Sequence, residues 1–187
     1  MDNEKDLTVK EAFDLAIQNH QNNNLQNAHN YYQKVLKIDP NHLDALNNIG
    51  AIFIKVKDYQ KAKSCYEKAI EINPIYASAY NNFGALYQEL GQIQKAKSCY
   101  EKSIKIDPGF NAHNNLGLIY SELGDFKKAI SCYEKSIKIN PNYEGAYNNL
   151  GALYQESGQN QNAISCYEKS IEIDPKHINF LNNLSCL

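Results

Sequence analysis

Arginine is absent from this chain of 187 residues, and all 19 of its basic residues are lysine. Arginine is the side chain best suited to holding a carboxylate or a phosphate, because its planar guanidinium donates two parallel hydrogen bonds. The formal net charge is only −2 at pH 7, so the sequence also lacks the basic surface that binds nucleic acid. These observations argue against nucleic acid as a partner.

Long hydrophobic runs are also missing. No stretch approaches 18 uninterrupted apolar residues, so the sequence predicts no membrane-spanning helix and no membrane partner. The first residues, MDNEKDLTVKEAF, are charged and lack the apolar centre of a signal peptide. We therefore expect a soluble, intracellular protein of the cytoplasm. Its hydrophobic content of 43% is sufficient to bury a core.

Proline is scarce, and its five occurrences are periodic. Pro40, Pro74, Pro108, Pro141 and Pro175 are separated by 34, 34, 33 and 34 residues. A near-copy of one phrase precedes four of them, as in SCYEKAIEINP at 64–74 and SCYEKSIKIDP at 98–108. A second phrase recurs at 79–89 and 146–156, where ten of eleven letters match. An internal period of this length indicates repeated structural units.

Each unit carries the pattern of two helices. The spacing of Tyr80, Phe83, Gly84 and Tyr87 gives one apolar face of a first helix, and a second stripe follows in the other half of the unit. A glycine then follows the first helix, at the position where a helix end favours a residue in the left-handed backbone conformation. The second helix is expected to end before the proline, because proline disfavours the helical conformation of the residue that precedes it. The glycines are Gly91, Gly124 and Gly158, and the earlier units have Asn23 and Lys57 at this place.

These residues resemble the tetratricopeptide repeat (TPR), whose outline is an aromatic residue, then Leu-Gly, Tyr, Ala, an aromatic residue and Pro at fixed spacing. The third unit has all the corresponding residues: Tyr80, Phe83, Gly84, Tyr87, Ala96, Tyr100 and Pro108. The resemblance implies an all-α fold, a right-handed superhelical solenoid of about five helix pairs. In this family the first helix of each pair lines the concave wall. We expect one array over 1–187, with repeats at 9–42, 43–76, 77–110, 111–143 and 144–177 and a partial repeat or cap at 178–187.

Two features of single units are expected to matter for packing. Gly50, Gly84, Gly117 and Gly151 should let the two helices of a pair approach closely, whereas the first unit has Ala16 there. The fourth unit is one residue short between Pro108 and His113, which should tighten the turn before it.

The sequence shows little that could carry chemistry. Cys65, Cys99, Cys132 and Cys166 occupy one repeat position, so neighbouring thiols should lie too far apart for a disulfide. No paired-cysteine motif suggests zinc, and the five histidines are scattered. We expect reduced, metal-free cysteines, no cofactor and no enzymatic activity.

Paired asparagines recur in every first helix after residue 42. The pairs are Asn47-Asn48, Asn81-Asn82, Asn114-Asn115, Asn148-Asn149 and Asn182-Asn183. Asparagine is a poor residue inside a helix, costing several tenths of a kcal/mol relative to alanine. On a helical wheel the second asparagine points away from the packing stripe, into the groove. Its amide has the donors and the acceptor that a peptide bond needs.

The second asparagine of each pair also resembles the asparagine ladder in the TPR arm of O-linked N-acetylglucosamine transferases. That resemblance implies a peptide-binding role for Asn48, Asn82, Asn115, Asn149 and Asn183. A compositional bias stays open as an alternative, because the chain is rich in asparagine elsewhere, as in NHQNNN at 19–24. If the ladder only binds ligand, replacing its members with alanine should preserve or raise stability.

Three glutamates, Glu89, Glu122 and Glu156, are expected on the same groove face and should favour neutral or basic segments. The sequence therefore predicts a non-catalytic interaction scaffold that binds an extended segment of another protein. The alternative is the recognition arm of a larger enzyme, such as a glycosyltransferase like the one above. Residues 178–187 begin a sixth unit and end within it, so continuation of the chain and self-association through the C-terminal end both stay open.

Overall fold

The computed structural model describes residues 7–175, which form ten α-helices joined by short turns and contain no strand. The helices are α1 (Val9–Gln21), α2 (Leu25–Ile38), α3 (Leu43–Lys55), α4 (Tyr59–Ile72), α5 (Ala77–Glu89), α6 (Ile93–Ile106), α7 (Phe110–Glu122), α8 (Phe126–Ile139), α9 (Glu144–Glu156) and α10 (Asn160–Ile173). This order confirms the predicted all-α fold. The partial repeat at 178–187, with Asn183 and Cys186, lies outside the described residues.

The chain divides into two compact units at residue 90. In the first unit α1 packs on α2 and α3 on α4, while α5 contacts both α3 and α4. In the second unit α7 packs on α6 and α8, α9 packs on α10, and α7 also contacts α9. Short turns make consecutive helices antiparallel, so α3 and α5 lie side by side in the first unit, as α7 and α9 do in the second.

The predicted left-handed residues end every first helix. The backbone φ angle is 57° at Asn23, 61° at Lys57 and 68° at Gly91, and it is 74° at both Gly124 and Gly158. The next residue then donates a hydrogen bond back into the helix, as Asp58 N does to Phe53 O at 2.9 Å. Only glycine adopts this backbone region without steric cost, and asparagine is the next best residue. Lys57 is therefore the least suited residue at this position.

The turns between repeats confirm the predicted effect of the missing residue. Within residues 7–175 three full-length turns close with a backbone hydrogen bond across three residues, as from Tyr76 N to Asn73 O at 3.1 Å. Before α7 the chain has only Asp107, Pro108 and Gly109, and Gly109 N donates to Asp107 O at 2.7 Å. This tighter turn starts α7 at residue 110, one position earlier than the sequence predicts for the fourth unit.

Helix pairs pack through a glycine of the first helix and a tyrosine of the second. A Cβ atom at Gly50 would stand 2.6 Å from Tyr66 Cε1, and one at Gly117 would stand 2.6 Å from Tyr133 Cε1. The pair of Gly151 and Tyr167 is equally close, at 2.7 Å. These distances are too short for any real Cβ, so the glycines are required for the close approach that the sequence predicts. The aligned tyrosines are fully buried or nearly so: Tyr32, Tyr66, Tyr100, Tyr133 and Tyr167.

The hydroxyl groups of these tyrosines differ in their partners. Tyr167 Oη donates to Gln155 Oε1 at 2.8 Å. Tyr66 Oη, in contrast, is the one fully buried side-chain polar atom in residues 7–175 that has no hydrogen-bond partner. Burial also raises the pKa of Tyr66 well above its usual range, with the neighbouring Cys65 adding to the effect. The hydroxyl of Tyr66 therefore costs desolvation free energy that nothing offsets.

Replacing Lys57 with glycine is expected to raise the free energy of unfolding by about 0.5–1 kcal/mol, because glycine has no Cβ to clash at positive φ. Chemical denaturation measures the change. The matched control is Lys57→Ala, which removes the long side chain but keeps the Cβ. An equal gain from both variants would show that the side chain, and not the backbone, carries the cost.

Replacing Tyr66 with phenylalanine is expected to stabilise the chain by about 1 kcal/mol, because it removes a buried hydroxyl that has no partner. The same change at Tyr167 should cost about 0.5–1.5 kcal/mol, because there it deletes a hydrogen bond to Gln155. Thermal unfolding of both variants tests the contrast. Destabilisation by Tyr66→Phe would contradict the assignment of an unpaired hydroxyl.

Candidate functional site

The asparagine pairs lie in the middle of the first helices α3, α5, α7 and α9, as the sequence predicts. Within the pairs the two positions differ in burial. The first asparagine is almost enclosed where it is Asn47 or Asn114, with 7% and 3% of its surface exposed. The second asparagine is half-buried in all four described helices: Asn48, Asn82, Asn115 and Asn149. The second position is thus the more accessible one.

Side-chain hydrogen bonds join the pairs of neighbouring repeats. In the first unit Asn82 Nδ2 on α5 donates to Asn47 Oδ1 on α3 at 3.0 Å. In the second unit Asn149 Nδ2 on α9 donates to Asn114 Oδ1 on α7 at 2.9 Å. We call these two contacts the asparagine bridges. In both, the second asparagine of one repeat donates to the first asparagine of the preceding repeat.

The bridges reveal a role that sequence analysis missed. From the sequence, compositional bias explains the first asparagine better than a groove role, and the second is expected in the groove with compositional bias as the alternative. A regular separation of 35 residues, from 47 to 82 and from 114 to 149, is the signal that could have indicated the contact. The bridges hold neighbouring repeats together, so loss of the second asparagine would leave a buried carbonyl oxygen without its donor.

Asn48 makes a different contact. Its amide lies beside the hydroxyl of Tyr32 on α2 and works against the rise of the Tyr32 pKa, while Tyr32 Oη lies 3.4 Å from His20 Nδ1. Burial is the larger influence and, with the charge of Asp44, raises the pKa of Tyr32 to about 12. Asp44 itself accepts a hydrogen bond from Tyr76 Oη at the start of α5. These contacts tie α3 to the helices on both of its sides within the first unit.

Glu89, Glu122 and Glu156 are exposed, as predicted. Each is the last residue of its helix: α5, α7 and α9 respectively. None of the three has an ion-pair partner in the described part of the chain. Their negative charges are therefore available to a ligand.

The four described cysteines are free and at least half-buried. Burial raises the thiol pKa to about 11 at Cys65, Cys99 and Cys166, and it raises the pKa of Cys132 as well. The thiolate is the reactive form, so these cysteines are poor nucleophiles at neutral pH. Within residues 7–175 no group of histidine, cysteine and acidic side chains has the arrangement of a metal site. None of the helices in that range is long and apolar enough to cross a membrane.

Replacing Asn82 with alanine is now expected to lower the free energy of unfolding by about 1–2 kcal/mol, because Asn47 Oδ1 would be left buried and unpaired. This loss outweighs the gain of roughly half a kcal/mol in helix propensity. Asn111→Ala is the matched control, since Asn111 is exposed on α7 and has no side-chain partner in residues 7–175. If Asn82→Ala raised stability, the bridge would contribute nothing to the fold.

Solved structures similar to this chain are TPR proteins or share their fold. A thermophilic TPR protein of Thermus thermophilus is 19% identical, with a TM-score of 0.83 over 96% of this chain and 98% of that one. YrrB, described as a TPR protein with an unusual peptide-binding site, is 21% identical, with a TM-score of 0.62 over 96% and 92% of the two chains. The MamA protein is 26% identical, with a TM-score of 0.64 over 91% and 94%.

None of the curated proteins compared with the chain matches it. Family models described as tetratricopeptide repeat match residues 19–42, 41–108, 110–143 and 145–177. These ranges cover most of the sequence: 41–108 spans two helix pairs, 110–143 and 145–177 span one pair each, and 19–42 contains α2. The chain belongs to the tetratricopeptide repeat family.

Proposed function

We propose that the chain is a non-catalytic scaffold that binds an extended segment of another protein along its first helices. The observation that carries the proposal is the row of amide side chains that passes from α3 to α5 and from α7 to α9. The contact between Asn82 Nδ2 and Asn47 Oδ1 uses one amide hydrogen, which leaves other amide hydrogens of the row for a ligand. Similarity to YrrB, whose description names a peptide-binding site, supports the same function.

An extended peptide fits the spacing of such a surface. Packed helices lie about 8–10 Å apart, and a strand advances about 3.3 Å per residue. A segment that crosses neighbouring first helices would therefore meet an amide at about every third residue. Hydrogen bonds of this kind engage the backbone, so they select an extended conformation more than a particular sequence.

Side-chain preference comes from the exposed glutamates in this proposal. Glu89 in the first unit, and Glu122 and Glu156 in the second, are unpaired at the ends of first helices. Negative charges repel an acidic segment and attract a basic one, so the partner is a neutral or basic segment. The unpaired cysteines suit a reducing compartment, which supports a cytoplasmic location.

A second candidate is the recognition arm of a larger enzyme, such as one like the O-linked N-acetylglucosamine transferases. The recurrence of the second asparagine at Asn48, Asn82, Asn115 and Asn149 favours it, because the ladder of those enzymes uses the same repeat position. Reading the coding sequence beyond residue 187 distinguishes the candidates. A catalytic domain there would favour the enzyme arm, and a closing polar helix would favour the free-standing scaffold.

Replacing Glu89, Glu122 and Glu156 together with glutamine is expected to weaken binding of a lysine-rich dodecapeptide about three- to tenfold at low salt. Fluorescence anisotropy measures the affinity, and the difference should disappear at about 1 M salt because the charges are screened. Binding of a neutral peptide of the same length should not change.

The matched control replaces Glu71, Glu134 and Glu168, which are exposed on the second helices α4, α8 and α10, with glutamine. It changes the net charge by the same amount on a different surface. Equal weakening by both triple variants would show that net charge alone attracts the peptide. Absence of binding by basic, neutral and acidic dodecapeptides would contradict the scaffold proposal.

A further inference from the structure

The amide of Asn47 is almost enclosed, yet only its oxygen has a partner. Asn47 Oδ1 accepts the hydrogen bond from Asn82 Nδ2, and 7% of the Asn47 surface is exposed. No side chain or backbone group in residues 7–175 accepts from Asn47 Nδ2. An amide nitrogen carries two hydrogens, so two donors on this side chain are unused within the protein.

These donors keep contact with solvent. In the described part of the chain the hydroxyl of Tyr66 is the one side-chain polar atom that is both fully buried and unpaired. Asn47 Nδ2 has no hydrogen-bond partner and is not fully buried, so part of its surface is accessible to solvent. The side chain therefore has its oxygen turned toward α5 and its nitrogen turned toward solvent.

The second unit repeats the arrangement independently. Asn114 on α7 is 3% exposed, and its Oδ1 accepts from Asn149 Nδ2. Asn114 Nδ2 also lacks a partner in residues 7–175 and is not among the fully buried atoms. Two copies of one geometry, in units described separately, indicate that the orientation is a property of the repeat.

The bridge determines which end of the amide faces outward. Rotation of the terminal amide by 180° would exchange its oxygen and its nitrogen. In that orientation Asn47 Nδ2 would face Asn82 Nδ2, and two donor groups would oppose each other. The orientation of Asn82 is fixed in turn, because its Oδ1 accepts from Asn81 Nδ2 at 3.3 Å.

We propose that the enclosed asparagines, Asn47 and Asn114, donate the hydrogen bonds that hold the ligand on this surface. Asn82 and Asn149 are positioning residues, which orient those amides so that their nitrogens face the ligand. The inference rests on the proposed peptide-binding function and reverses the roles that the sequence suggests for the two positions. The surface then selects hydrogen-bond acceptors. Its ligand is a neutral segment that turns backbone carbonyl oxygens toward α3 in the first unit or toward α7 in the second.

A carbonyl oxygen suits this site better than a carboxylate. Both are acceptors, but Glu89 and Glu156 place negative charge on the helices that carry the positioning residues. The side-chain oxygens of Asn47 and Asn114 are turned toward Asn82 and Asn149, so the outward end of each amide presents donors to the ligand. The backbone of a partner would thus be held in one orientation.

The test uses a neutral dodecapeptide selected against the whole chain from a random library without Lys, Arg, Asp or Glu. Its affinity is measured by fluorescence anisotropy for Asn47→Asp, Asn114→Asp and the double variant. Aspartate still accepts the hydrogen bond from Asn82 or Asn149 but has no donor for a carbonyl oxygen. The variant in the unit that holds the peptide is expected to weaken binding about tenfold, and the double variant should weaken it at least as much.

The matched control is Asn27→Asp, which makes the same chemical change at an exposed position of the second helix α2 and should leave the affinity unchanged. Thermal unfolding must show that each variant is folded. If Asn47→Asp does not fold, Asn82→Asp replaces it. Its carboxylate would accept from Asn47 Nδ2, turn that amide around and weaken binding to the same extent.

The outcomes separate this inference from the proposed function. A peptide whose affinity survives both folded aspartate variants would overturn the donor assignment and leave the scaffold intact. Failure of any peptide, neutral or charged, to bind the wild-type chain would overturn both. Loss of affinity in Asn47→Asp or Asn114→Asp, with none in Asn27→Asp, would support the assignment.

Discussion

The contact between a glycine of the first helix and a tyrosine of the second sets the geometry on which the rest of each repeat depends. At Gly50 and Tyr66 the approach leaves no room for a Cβ. The tyrosine ring therefore fills the space between the helices and fixes their separation. Because the ring is bulky and rigid, the packing stripe faces inward, and the opposite side of the first helix is left for other contacts. The asparagine pairs occupy that side.

The asparagine bridges act between repeats, whereas the glycine–tyrosine contact acts within one. A helix pair in a repeat protein contacts only its neighbours, so its stability depends on the interface with the next repeat. Most of that interface is apolar, but the bridges add a polar contact with a defined direction from one repeat to the preceding one. A polar contact of this kind fixes the register of neighbouring first helices, whereas apolar side chains alone tolerate small displacements.

Much of the fold was predictable from the period. The prolines, the left-handed residues at the ends of first helices and the shortened turn before α7 all follow from local steric rules, which act within a few residues. The roles of the two asparagines were not predictable in the same way. Asn47 and Asn82 are 35 residues apart, and only the packed structure shows that one amide reaches the other. The unpaired hydroxyl of Tyr66 becomes understandable only after the structure shows that the aligned Tyr167 donates to Gln155, because the residue at the corresponding position before Tyr66 is the apolar Ile54.

The enclosure of Asn47 has a consequence for the entropy of association. An exposed asparagine samples several rotamers, and a ligand that immobilises such a side chain loses about 0.5–1.5 kcal/mol of binding free energy. Asn47 and Asn114 have already lost that freedom during folding, because packing and the asparagine bridges hold them in one conformation. A partner that meets them therefore forms its hydrogen bonds without ordering the side chains that make them. The entropic cost of recognition then falls mainly on the partner segment, so a segment already extended before binding would have the advantage over a flexible one.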